Sequence, residues 1–227
     1  LGADASNLEH MPLTGVITEF FLRMCDPDQF DEEDRTTLLT AATTHDWGEG
    51  VNGHEDITYR RKTQANTDGE HQALIGLVDR EYLEKDPDLA EEIKRIHTEV
   101  VQDPESRLGR AFNAIERMGY LRTAVRSWEL SHQVDDPAIV NALRWMSVDV
   151  LALHTQKLLE YAWEFDATQS QLDVYEQSIS DIFSIVEPSI FYNYEKGEER
   201  DRMRGLFKAG RDVWRWNYPP EDETRDN

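Results

Sequence analysis

Apolar residues recur along this chain three and four positions apart, the spacing of one face of an α-helix, and no segment shows the strict alternation of a half-buried strand. The pattern predicts an all-α fold. A first helix carries Leu13, Val16, Ile17, Phe20, Phe21 and Met24 on one face and is broken at Asp26-Pro27-Asp28. The next opens on Asp31-Glu32-Glu33-Asp34, acids that suit the positive end of a helix dipole, and is expected to run to about Asp46. A glycine-bearing loop is expected from Trp47 to about Arg61. A third helix is expected over Thr67 to Leu83. Asp86-Pro87-Asp88 starts a fourth, and Asp103-Pro104-Glu105 opens a long one with Leu108, Ala111, Phe112, Ile115 and Met118 on its apolar face.

From Pro137 onward the pattern predicts two or three more helices. Ile139, Leu143, Met146, Val150 and Leu153 form one stripe, which Leu158, Tyr161 and Phe165 extend. Ile179, Ile182, Phe183 and Val186 form another, stopped by Pro188. The segment Asp201 to Tyr218 interleaves basic and apolar residues, and the polar end is expected to be disordered. The domain expectation is a helical domain over 1–130, a helical extension over 131–218, and a tail over 219–227.

Composition narrows the classes. A length of 227 residues suffices for one well-buried domain with an extension. A net charge of −22 argues against a nucleic-acid polymer as ligand, because a phosphate backbone needs a positive surface. Only six of the 24 basic residues are lysine. That bias suits a surface adapted to high salt, and equally an ordinary acidic soluble surface. No apolar run approaches the ~20 residues of a membrane span, and the start lacks a basic-then-apolar signal pattern. With one cysteine, Cys25, an internal disulfide and a cysteine zinc knuckle are both excluded. The expectation is a cytoplasmic protein without membrane partners.

The chemistry concentrates at His45-Asp46, followed by Glu49 and preceded by His10 near the start of the previous predicted helix. Two imidazoles and a carboxylate on neighbouring helices are the nucleus of a site for Mn, Co, Fe or Zn. The competing reading is an ordinary helix terminus, with His45 favoured by the dipole. Trp47 reads either as the wall of a base or sugar pocket or as packing. Arg60-Arg61-Lys62 reads either as a phosphate-neutralising cluster or as a solvated turn.

Taken together, Glu9-His10, the H-D-x-x-E of His45 to Glu49, the turn from Gly53 to Asp56-Ile57, and Lys62 beyond it resemble the HD-domain phosphohydrolase superfamily. The likeness is greatest to its bacterial 5′-deoxynucleotidase branch. It spans about the first 125 residues, and the interval of 35 residues between the two histidines fits it. The resemblance implies one divalent cation (Mn, Co, Mg, Fe or Zn) held by His10, His45, Asp46 and a later acid. That acid is Glu116 where the family has aspartate, with Asp103 and Glu105 as alternatives; Glu116-Arg117 also reads as a solvated pair. It further implies Glu49 and Asp56 as proton-transfer residues, and Lys62, Arg61 and Trp47 as substrate contacts. The implied substrate is a small nucleotide, first a deoxynucleoside 5′-monophosphate, and the implied assembly is a homodimer. Two rival readings stay open. His71 and His97 would give a two-metal phosphodiesterase or iron oxygenase; alternatively the site is degenerate and the protein is a sensor or scaffold. His132 and His154 read as structural or surface residues.

Overall fold

The computed structural model describes residues 7–52, 63–185 and 197–219, and among these it is helical without a strand. Asp56, Arg61 and Lys62, together with the Gly53 turn, lie outside the described residues. Two compact units, Leu1–Glu116 and Arg117–Asn227, divide the chain. The expectation from sequence drew the boundary near residue 130; the division falls instead inside one long helix.

Unit 1 begins with α1 (Asn7–Met24), which packs along α2 (Glu32–Thr44). The buried line of α1 is Thr14, Ile17, Thr18, Phe21 and Leu22, and Cys25 just past its end is buried too. Val16, Phe20 and Met24, which the sequence pattern groups with them, remain exposed. The apolar arc is therefore wider than the strip that neighbouring elements cover. Asp31 caps α2 by accepting from the Asp34 N–H, while the Asp34 carboxylate accepts from the Asp31 N–H.

The expected loop after Asp46 is a correction. Trp47–Asn52 forms a short helix, α3, entered by a Gly50 N–H to Asp46 carbonyl bond of 3.2 Å. It lies on α4 (Gln64–Glu81), and the approach is very close. A Cβ at Gly48 would stand 2.1 Å from the Glu70 carbonyl oxygen. Only a residue without a side chain lets the two backbones meet there. Thr63 and Asn66 form the capping box that starts α4 three residues earlier than the apolar pattern suggests. Asp86 and Pro87 open α5 (Pro87–Ile96), as their types predict, and a π-helical turn, His97–Val101, follows.

The long helix α6 (Arg107–Ser131) begins after the expected Asp-Pro-Glu break. At its start Arg107 pairs with Asp34, donates to the Gln29 carbonyl and sits over the Phe30 ring. This ties the N-terminal ends of α2 and α6 together. Ala111, Phe112, Ile115 and Met118 are buried as the periodicity requires.

Unit 2 holds the rest of α6 with α7 (Pro137–Ala162), α8 (Asp166–Phe183) and α9 (Gly197–Asn217). α7 packs on both α8 and α9. The Ser147 hydroxyl donates to the Ala124 carbonyl at 2.8 Å, and the Gln171 amide donates to the Met118 carbonyl at 3.1 Å. Phe165 does not prolong α7: it is the buried N-cap residue of α8. Leu153, placed on the α7 stripe by spacing, is exposed. Val186 and Pro188 lie outside the described residues. No described helix is long and apolar enough to cross a membrane.

Candidate metal centre

Three helices deliver the site. His10 stands in the first turns of α1, His45 is the C-cap residue of α2, and Glu116 lies in the third turn of α6. Ligand atoms of His10, His45 and Glu116 all lie within 4.8 Å of one another. Glu116 is thus the later acid that meets the histidines. The two alternatives, Asp103 and Glu105, are exposed in the turn before α6.

His45 is the centre of the group. Its Nε2 lies 3.3 Å from Asp46 Oδ2 and 3.2 Å from Glu116 Oε1, without hydrogen-bond alignment to either. Its Nδ1 is 3.1 Å from the Ala42 carbonyl oxygen. A carbonyl only accepts, so Nδ1 carries the proton and Nε2 is the nitrogen presented to the acids. His10 and Phe112 both meet the His45 ring edge-on, each at 5.4 Å between centroids. These two ring contacts, with the Nδ1 contact to Ala42, orient the imidazole. Asp46 Oδ2 is also 3.6 Å from His10 Nε2, so this carboxylate stands between the two rings.

The electrostatics favour positive charge at His45. Burial, the strongest single influence, lowers the His45 pKa. The two carboxylates Asp46 and Glu116 together outweigh it and push the imidazole up to about 10. For Glu116 burial is again the largest influence and acts upward, but the contact with His45 brings its carboxyl below the usual range. Two acids gathered around a buried imidazole therefore demand a proton, or another cation, at Nε2.

Glu49 stands on the first turn of α3, three residues after Asp46, and is half-buried. That spacing sets it on the same side of the chain as Asp46. Trp47 stacks on Tyr82, with 6.0 Å between centroids and 15° between planes, and packs against the cluster of Leu74, Val78, Ala90 and Ile93. Of its two readings from sequence, packing is the one with visible contacts.

His71 and His97, separated by 26 residues, face each other with 2.9 Å between Nδ1 atoms and rings stacked at 5.0 Å. His97 is buried at the start of the π-helical turn. His154 stacks on Tyr120, and the His132 Nδ1 bonds the Trp128 carbonyl. The site was legible as residue types and spacing, but the bracing of His45 by Phe112 and the Asp34–Arg107 clamp were not. Their signals in sequence are a core phenylalanine and an arginine in an acid-rich chain, and neither is specific.

Comparison with protein-family models, with curated proteins and with solved structures gave no match for this chain.

Proposed function

We propose that the protein is a divalent-metal-dependent phosphohydrolase of small nucleotides, with a deoxynucleoside 5′-monophosphate as the first substrate to test. The observation that carries this reading is the convergence of His10, His45 and Glu116 from three helices, with Asp46 between the two imidazoles. The donor set of two neutral imidazoles and two carboxylates suits Mn, Co, Fe or Zn, and Mg with less nitrogen preference. The buried Nε2 of His45, without an aligned hydrogen bond, is the further sign that the residues fit a cation. A cation there supplies Lewis acidity toward water and a phosphoryl oxygen.

The chain's own residues do the remaining work. The Ala42 carbonyl fixes the His45 tautomer. Glu49, beside the HD pair, takes a proton from the attacking water or gives one to the leaving 5′-oxygen. Asp56 shares that transfer, and Arg61 and Lys62 neutralise phosphate charge; all three rest on the sequence reading alone.

A second reading has one observation in its favour. The Nδ1 atoms of His71 and His97 are 2.9 Å apart, at hydrogen-bond distance, which sets two imidazoles together as a pair of nitrogen donors. In that case the chain takes two metals and turns over a phosphodiester or oxidises a substrate with O₂.

The deciding experiment measures inorganic phosphate released from a panel of nucleoside mono- and triphosphates, with Mn²⁺, Co²⁺ or Mg²⁺ at low and high salt. The expected result is metal-dependent release from monophosphates, reduced at least ~100-fold in Asp46→Ala. Silence across the panel from a folded, metal-loaded protein sinks the proposal. Metal analysis then separates the other cases. Two equivalents, falling to one in His71→Ala, favour the two-metal reading, and no bound metal favours a sensor or scaffold.

A further inference from the structure

Helices α2 and α6 meet at two places in unit 1. One is the candidate centre, where His45 faces Phe112 and Glu116. The other is the contact of Arg107 with Asp34 at the start of both helices. Asp34, Leu38, Ala41 and His45 lie on one buried line of α2, so the two contacts share a face of that helix. At ~1.5 Å per residue, the contacts stand ~16 Å apart along α2 and ~14 Å apart along α6. Both helices run in the same direction from the clamp to the site.

The residue types at the clamp need explaining. An arginine that opens a helix faces the positive end of the helix dipole, which is unfavourable for α6 by itself. Asp34 supplies the compensating charge from the neighbouring helix. Its carboxylate accepts from the Asp31 N–H at 3.3 Å and from the Arg107 guanidinium. Arg107 also donates to the Gln29 carbonyl at 3.3 Å and lies 5.8 Å from the centre of the Phe30 ring. An exposed ion pair by itself contributes little. Here the cation engages three groups, and the Asp34 side chain is only 12% exposed. A flat fork that donates twice and covers a ring is specific to arginine; an ammonium reproduces only its charge.

We propose that Arg107 and Asp34 are a positioning pair for the metal centre, fixing the tilt and height of α6 against α2 so that Glu116 and Phe112 meet His45. The inference rests on reading the His10–His45–Glu116 group as a metal centre. Phe112 and Glu116 are four residues apart, so one face of α6 brings both to the imidazole. Phe112 orients the ring at 5.4 Å, and Glu116 Oε1 stands 3.2 Å from Nε2. A tilt of ~3° between the helices, taken over ~14 Å, moves Glu116 by ~0.7 Å, more than the ~0.5 Å that a binding constellation tolerates. The clamp therefore acts on the centre through the helices, without touching a ligand.

The test is calorimetric titration of Mn²⁺ into the full chain, well below the unfolding temperature of each variant. Arg107→Ala and Asp34→Asn are each expected to weaken Mn²⁺ binding roughly 2–30-fold. The double variant is expected to be no weaker than Arg107→Ala, because both changes remove one contact. Arg107→Lys is expected to fall between parent and Arg107→Ala. Lys94→Ala is the control. It breaks the pairs with Asp79 and Glu91 that join α5 to α4, and is expected to lower stability while leaving Mn²⁺ affinity unchanged. A second readout needs no metal: NMR cross-peaks between the His45 and Phe112 ring protons are expected in the parent and reduced in Arg107→Ala. Parent-like Mn²⁺ affinity with intact ring cross-peaks in Arg107→Ala and Asp34→Asn overturns the proposal. An equal loss of affinity in Lys94→Ala also overturns it, since the effect would then be general destabilisation. A parent that binds no Mn²⁺ defeats the metal reading instead, and the ring cross-peaks alone then decide whether the clamp positions α6 on His45.

Discussion

At the scale of single residues, His45 concentrates the functional argument. It is nearly fully buried, yet two carboxylates hold its pKa at about 10 rather than near 6.5. A group raised on folding contributes stability that is complete below its unfolded pKa and is lost as pH rises through the folded value. The metal-stripped protein is therefore expected to unfold at progressively lower temperature from about pH 6.5 to 10. A cation at Nε2 must displace the same proton. Metal affinity is expected to rise with pH, with about one proton released per cation near neutrality. Calorimetric titration of Mn²⁺ in buffers of different ionisation enthalpy reads that proton directly. Binding without proton release would mean that His45 is not the ligand, and the site would have to rest on His10 and the acids.

At the scale of elements, the sequence was informative wherever local chemistry decides the outcome and uninformative wherever contact decides it. Asp31, Asp86 and Pro87 announce helix starts through groups they place on their own backbone, and the structure has helices there. The short helix α3 is different. Trp47 to Asn52 contains two glycines and no apolar period, so it reads as a loop; its helical turn is stabilised by lying on α4. The signal was Gly48, whose meaning appears only when Glu70 is seen against it. The same limit explains α1, where spacing identifies an apolar arc but cannot say which half a neighbour covers. Glu116 was found as an acid at the right distance along the chain, and its meeting with His45 depends on how α2 and α6 cross. Gly48→Ala tests the element-scale argument. Its Cβ would collide with backbone rather than with a flexible side chain, so α3 must shift. A loss of about 1–3 kcal/mol or more is expected. Because α3 directly follows His45-Asp46 and carries Glu49, the proposed phosphohydrolase activity is also expected to fall. Chemical denaturation beside a rate assay separates the two. An unchanged denaturation midpoint would mean that α3 does not rest on α4 in solution.

At the scale of the whole molecule, charge sets the conditions under which the residues and elements can act. The chain has 46 acidic residues against 24 basic ones. Several cations are already committed to acids within the same fold, such as Lys94 with Asp79 and Glu91, and Arg95 with Glu99. These surface pairs contribute little individually. The unmatched acids repel one another across the surface, and that repulsion opposes the compact state. Screening relieves it, while burial of the apolar faces is unaffected or strengthened by salt. The unfolding temperature is therefore expected to rise steadily as NaCl goes from ~0.05 M to ~1 M, where the Debye length falls below the spacing of surface charges. A protein stabilised mainly by its surface ion pairs would show the reverse, and a flat profile would mean that the acids are too far apart to interact. Divalent cations separate this general effect from the site. Screening responds to any salt at high concentration, whereas a cation held by the His10–His45–Glu116 group is expected to saturate it at low concentration and to lose its effect in Asp46→Ala. Thermal melts in NaCl with and without micromolar Mn²⁺, on parent and variant, separate a general salt effect on the charged surface from stabilisation by a cation at the proposed site.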